Sequence, residues 1–157
     1  WDYAGLKKVS DGVKAAVATG ENLDEIGEFL PLLEHRAADV LNIGISTSGI
    51  TGAMQVAHMA HGFETPVTMM NTPGNFMAHL AAALPNHTMM EVVFLESNPV
   101  FAVDTRIDDG WIILGEQPGL GIEIDAAALA EHEVPEVSRD TMASPWGRRP
   151  GAGLFRD

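Results

Sequence analysis

The amino-acid sequence predicts an α/β protein in which helices cover a parallel sheet. Four short apolar segments begin near residues 15, 39, 66 and 89, at intervals of 24, 27 and 23 residues. Amphipathic segments of helical period separate them, an alternation typical of repeated strand–helix units. Short apolar strands between such helices favour a parallel sheet. Two architectures fit this pattern, an open doubly wound sheet and a (β/α)8 barrel.

The first two thirds of the chain contain these units. Asp2 is placed to cap a short helix whose apolar face carries Leu6, Val9 and Val13. Pro31 falls inside the next predicted helix, so we expect that helix to kink or to start late. Periodicity and the bordering glycines and prolines give the other bounds: strand 15–21, helix 22–37, strand 39–45, helix 49–62, strand 66–72, helix 75–84 and strand 89–94.

The C-terminal third changes character. Asp109-Gly110 is a hairpin-type turn, and a Pro/Gly loop over 117–121 separates the two short strands that follow. Asp125 is placed to cap the last helix. The predicted elements are strands over 111–114 and 122–124 and a helix over 125–131. Beyond Val134 the chain is rich in Pro, Gly and Arg, and we expect a tail that wraps a surface or is mobile.

Composition excludes several classes of function. The chain has 157 residues, 46% of them apolar, and a formal net charge of −13. Without a sizeable basic cluster, nucleic acid is not an expected partner. No apolar run is long enough to span a bilayer, so no membrane partner is expected. The absence of cysteine excludes thiolate chemistry and fits an intracellular, cytoplasmic location.

Polar side chains stand where the predicted strands end. They are Glu21 on the first strand, Asn42 on the second, where Gly44 also stands, Asn71 on the third and Glu91 on the fourth. In parallel β/α structures, ligands gather at the carboxyl ends of strands. Two carboxylates and an amide there suit Mg²⁺ or an acid-bearing substrate. A helix-capping role is the alternative, and it is weakest for Glu91, because a charge inside an apolar strand is costly to bury.

The other motifs give weaker evidence of a functional site. His58 and His61 stand three residues apart on one predicted helix, but two ligands do not make a metal site, and His61 also suits a helix C-terminus. The Gly-x-Gly-x-x-Gly fingerprint is absent, and the segment 49–52 lacks the Walker lysine. The sequence therefore predicts no nucleotide site.

An ordered set of motifs resembles the C-terminal half of the enolase superfamily, in the mandelate racemase/muconate lactonizing enzyme branch. The motifs are Thr19-Gly20-Glu21-Asn22, Ser48-Gly49-Ile50-Thr51-Gly52, Ala78-His79-Leu80, Glu91 and Gln117-Pro118-Gly119-Leu120-Gly121-Ile122. The resemblance runs from about Asp2 to Glu133. It implies the C-terminal half of a (β/α)7β TIM-type barrel, followed by a short β-containing segment that returns to a capping domain.

The resemblance also implies chemistry. Enzymes of this branch bind Mg²⁺ through three strand-end carboxylates while a base removes the proton α to a substrate carboxylate. Glu21 falls on the third metal ligand. Glu91 falls on a last-strand glutamate that contacts the substrate carboxylate or enediolate. Asn71 occupies the position of a catalytic histidine, so both Asn71 and Glu91 are candidate catalytic and substrate-binding residues.

This sequence departs from the racemase-like pattern at the second and third strands. Gly44 and Asn71 stand where an Asp–His dyad is expected, and neither can act as a general base. The base is therefore expected on an earlier strand, outside this chain. One-base chemistry, such as sugar-acid dehydration or cycloisomerisation, is favoured over racemisation, which usually needs groups on both faces of the substrate.

Four strands make half a barrel, which predicts a fragment that needs an N-terminal half and is inactive and poorly soluble alone. The expected organisation is a half-barrel over 1–98, a return segment over 99–134 and a tail over 135–157. We expect a Mg²⁺-dependent enzyme acting on a small carboxylate, in the form of a homo-oligomer. The alternative is a non-catalytic homologue that binds carboxylates or serves as a structural module.

Overall fold

The computed structural model describes residues 2–44, 49–92 and 99–133, which form two compact units, 2–92 and 99–133. The first unit contains a parallel sheet in the order β1-β2-β3-β4. Its elements are α1 Tyr3–Gly12, β1 Ala18–Thr19, α2 Ile26–Glu34, β2 Val40–Ile43, α3 Gly49–Gly62, β3 Val67–Met69, a 3-10 turn Pro73–Asn75, α4 Met77–Ala83 and β4 His87–Met90. The predicted parallel α/β architecture is confirmed.

Two predicted bounds in the N-terminal part are wrong. The sequence predicts a first strand over 15–21, but β1 spans Ala18–Thr19, and the predicted buried run at Ala15 and Ala16 is exposed. An edge strand that pairs only with β2 needs no longer apolar run. Helix α2 starts at Ile26, because Glu28 Oε2 accepts the backbone N–H groups of the two residues before that point at 3.0 Å. Helix α2 thus starts late, one of the two outcomes expected, but Glu28 sets the start and Pro31 lies inside the helix.

The two faces of the sheet differ. On one face Leu41, Ile43, Val67 and Met69 are fully buried, within a core that also takes residues from the helices. The other face carries the register row Asn42–Thr68–Met89, in which the first two are half-buried and the methionine is 69% exposed. The helices therefore cover one face, which is the arrangement expected of a barrel segment.

The second unit contains four strands in two antiparallel pairs, the first with the fourth and the second with the third. Its elements are β5 Phe101–Val103, β6 Arg106–Asp108, β7 Trp111–Ile113, β8 Ile122–Ile124 and α5 Ala126–Glu131. The predicted hairpin turn is confirmed, since Asp109 and Gly110 have φ values of 47° and 79°. Asp125 caps α5 by accepting two backbone N–H groups, as predicted. The predicted tail lies outside the described residues.

Asp104 fixes the Pro/Gly loop in this second unit. Its backbone N–H donates to the Gly121 carbonyl at 3.1 Å, and its Oδ2 accepts the Gln117 N–H at 2.8 Å. A Cβ at Gly115 or Gly121 would overlap the Asp104 carboxylate. Gly115 and Gly121 are therefore required by the close approach of one carboxylate.

Candidate active site

The four parallel strands bring the predicted site residues to one edge of the sheet. Glu21 follows β1, Gly44 follows β2, Asn71 follows β3 and Glu91 follows β4, each one or two residues beyond the last strand residue. Parallel strands end at the same edge, so these residues lie along its carboxyl side. Gly44 is buried, whereas the three residues with polar side chains are exposed.

Glu21 lies on a tight turn that requires a glycine at position 20. Gly20 has φ +131°, and a Cβ there would stand 2.6 Å from the Asn42 carbonyl oxygen and 2.9 Å from Phe29 Cε1. The Gly20 carbonyl accepts the Leu23 N–H at 2.9 Å, and the Leu23 side chain is buried in the core. The backbone at Glu21 is therefore fixed and its side chain is exposed to solvent. Its carboxylate has no protein partner among the described residues.

Asn71 and Glu91 are brought together. The Met70 N–H donates to the Ile43 carbonyl at 2.9 Å, and the Glu91 N–H donates to the Met69 carbonyl at 2.9 Å, so the ladder continues past both strand ends. The Asn71 backbone N–H then faces Glu91 Oε2 at 3.5 Å, the long limit of a hydrogen bond. The contact places the Glu91 carboxylate beside the Asn71 peptide, and the Asn71 amide side chain is exposed.

The position of Glu91 corrects one prediction. The sequence suggests a charge enclosed in a strand over 89–94, but β4 ends at Met90 and Glu91 is exposed. Residues 93–94 of the predicted strand lie outside the described residues. The carboxylate avoids a desolvation cost because it stands past the end of the strand.

Glu21 is not in contact with the other two. Strands β2 and β3 separate β1 from β4, which at the usual spacing of strands is roughly 14 Å along the sheet. Across the described ranges, no group of three or more Asp, Glu, His or Cys side chains is arranged to hold a metal. Glu21 fits one position of a Mg²⁺ ligand set, an accessible oxygen on a rigid turn, and the described residues do not complete that set.

The titratable groups with clearly perturbed pKa values stand at the opposite ends of the strands. The Val17 N–H, followed by the Ser10 hydroxyl, lowers the pKa of Asp39, just before β2. Burial lowers the pKa of His87, the first residue of β4. Both groups therefore belong to the framework of the sheet, and they do not mark the carboxyl edge.

The sequence did not identify two buried polar residues near this edge. Thr72 and Asn75 are 1% and 7% exposed, and both lie in the connection from β3 to α4. The run Thr72-Pro73-Gly74-Asn75 is typical of an ordinary turn, so only its position next to Asn71 could have drawn attention to it.

Comparison with known proteins identifies relatives of this arrangement. Residues 1–128 match the family model described as Enolase C-terminal domain-like. A D-galactonate dehydratase family member from Oceanicola granulosus is 27% identical over 142 residues, which are 84% of this chain and 35% of the relative. An L-Ala-D/L-Glu epimerase from Bacillus subtilis is 32% identical over 136 residues, 82% of this chain and 37% of the relative.

A solved structure shows the same fold. L-Talarate dehydratase from Polaromonas sp. JS666, complexed with Mg and L-glucarate, superimposes with a TM-score of 0.73 at 28% identity, covering 83% of this chain and 35% of that one. The chain thus spans about a third of the length of such relatives. No helix in the described residues is long and apolar enough to cross a membrane. The chain belongs to the Enolase C-terminal domain-like family, in the mandelate racemase/muconate lactonizing enzyme branch of the enolase superfamily.

Proposed function

We propose that this chain supplies the C-terminal half of the barrel of a Mg²⁺-dependent enzyme that dehydrates a sugar acid. The observation that carries the proposal is the Asn71–Glu91 pair at the carboxyl edge, in a chain where Gly44 and Asn71 provide no general base. Cycloisomerisation is the other one-base reaction that this arrangement allows. The base and the remaining metal ligands are assigned to a segment upstream of Trp1.

The residues of this chain have distinct roles in the proposal. Glu21 contributes one carboxylate to Mg²⁺, which when bound stabilises negative charge on the substrate carboxylate. Asn71 Nδ2 donates a hydrogen bond to the substrate, since an amide binds and orients but does not titrate in the working range. Glu91, oriented by the Asn71 N–H, holds the reacting end of the substrate. Dehydration removes the α-hydrogen and the β-hydroxyl as water, and the enol product becomes a 2-keto-3-deoxy acid.

The test uses the protein together with its upstream sequence, incubated with a panel of sugar acids and Mg²⁺. Formation of a 2-keto acid is measured with a carbonyl reagent. Glu91→Gln is expected to lower kcat/KM at least 100-fold, because the hydrogen bond that the Glu91 carboxyl group makes to the reacting group is lost. Glu21→Gln is expected to weaken Mg²⁺ binding, followed directly by calorimetry. Glu34→Gln is the matched control, an exposed carboxylate at the end of α2.

A non-catalytic homologue is the second candidate, favoured by the absence of a titratable side chain at both Gly44 and Asn71. It would bind a sugar acid at the same edge without releasing water. Saturable binding in calorimetry with no 2-keto acid from any substrate would establish this candidate. Unchanged Mg²⁺ affinity in Glu21→Gln would refute the metal role of Glu21 in both cases.

A further inference from the structure

A buried polar connection lies directly behind the Asn71–Glu91 pair. Of the described residues, Thr72 and Asn75 are the polar ones classed as buried, and they are three positions apart. Burying polar groups is unfavourable unless hydrogen bonds satisfy them. Two such groups in one short connection, next to a candidate site, indicate that the conformation of this connection is specified.

Thr72 holds both ends of the connection. Its carbonyl accepts the Asn75 N–H at 2.8 Å, which closes the turn. Its Oγ1 accepts the Met77 N–H at 3.4 Å, so the threonine also satisfies a free donor in the first turn of α4. Gly74 and Asn75 take left-handed φ values of 70° and 52°, which glycine and asparagine tolerate best.

The fixed threonine determines the path of Asn71, which precedes it. On the other side, the Met70 N–H is bound to the Ile43 carbonyl at 2.9 Å. The Asn71 peptide is therefore held between a strand ladder and a capped turn. In this position its N–H faces Glu91 Oε2 at 3.5 Å.

We propose that Thr72 is a positioning residue for the Asn71–Glu91 pair. It acts through its hydroxyl, which anchors the connection to α4, and it touches no substrate. The effect on catalysis rests on the function proposed above, whereas the effect on the pair does not. Misplacing a pair of this kind by about 1 Å lowers activity by up to about 100-fold.

The structural test uses the protein together with its upstream sequence and measures amide hydrogen exchange by NMR. Thr72→Val keeps the side-chain shape and removes the acceptor, and it is expected to raise Asn71 exchange about fivefold, the effect of losing one hydrogen bond. Thr72→Ser keeps the hydroxyl and is expected to restore wild-type exchange. Thr68→Val is the matched control, because it removes a threonine hydrogen bond that joins β3 to the Met89 carbonyl of β4 and lies outside the connection.

A second measurement addresses coupling rather than stability. Glu91→Gln is expected to change the Asn71 amide in the wild-type background and to have no further effect in Thr72→Val. Equal responses in Thr72→Val and Thr68→Val, or an unchanged Asn71 amide, would overturn the proposal. If Thr72→Val does not fold, an unprotected Met77 amide in the wild-type chain would overturn it instead.

Kinetics of the protein with its upstream sequence separate the two proposals. Thr72→Val is expected to lower kcat/KM about 10- to 100-fold, with rescue by Thr72→Ser. If no sugar acid is turned over but the amide response is present, the positioning role stands and the dehydratase proposal fails. Full activity in Thr72→Val would overturn the positioning role in catalysis.

Discussion

Replacing Gly20 by alanine tests how the sheet places Glu21. An alanine Cβ would stand 2.6 Å from the Asn42 carbonyl oxygen and 2.9 Å from Phe29 Cε1, and the backbone has φ +131°. The carbonyl belongs to β2, and Phe29 is fully buried in the core, so neither neighbour moves freely. Backbone strain of about 1–2 kcal/mol adds to about 1–3 kcal/mol for overpacking. The expected loss of unfolding free energy is about 2–5 kcal/mol, a large part of the stability of a small domain.

The assay is urea unfolding followed by circular dichroism. Gly62→Ala is the matched control, because Gly62 ends α3 and no atom lies within 4 Å of the place where an alanine Cβ would stand. This control is expected to leave the midpoint unchanged or to raise it slightly, since alanine is the better helix former. A loss below about 1 kcal/mol in Gly20→Ala would refute the close approach. In the protein together with its upstream sequence, Gly20→Ala is also expected to weaken Mg²⁺ binding, because it displaces Glu21.

Three further predictions concern the framework. The Val17 N–H lowers the pKa of Asp39. The Asp39 carboxylate therefore stabilises the fold above its unfolded-state pKa, and this stabilisation is lost as the pH falls through its folded-state pKa. Asp39→Asn should reduce the drop in urea midpoint between pH 6 and about pH 3, and an unchanged drop would contradict this cause. Burial lowers the pKa of His87, so stability should fall as pH decreases through about 6.5; a His87→Leu variant that keeps the full pH dependence would exclude this cause. In Gly121→Ala the added Cβ would overlap the Asp104 carboxylate, so proteolysis of the second unit should be faster than in the wild type. An unchanged digestion rate would contradict the close contact between Asp104 and the loop.

The sequence was sufficient for most of the secondary structure. Helix α3 has the predicted bounds, because its small residues recur with helical period and a glycine ends it. The hairpin turn at Asp109 and the cap at Asp125 are also as predicted, since each depends on local residue chemistry. The parallel sheet is as predicted because strands and helices alternate along the chain. Strand bounds were less accurate, because pairing with a neighbour decides where a strand begins and ends.

The pairing of the C-terminal strands shows what periodicity leaves open. The hairpin turn at Asp109 predicts the partner of the strand over 111–114, but the sequence does not specify the partner of the strand over 122–124. In the structure β7 pairs with β6, whereas β8 returns to β5 across the loop that Asp104 holds. The contacts between β5 and β8 join residues far apart in the chain, and local pattern contains no information about them.

The motif around Glu21, the amide at Asn71 and the missing dyad were determined by the sequence alone, because residue type fixes which groups can ligate, donate or titrate. The tertiary structure decided the rest. It placed Glu91 past the end of β4 beside the Asn71 N–H, separated Glu21 from both, and revealed Thr72 behind the pair. The physical reason is that register and burial depend on strands and helices packing together, and neither can be read from a single segment.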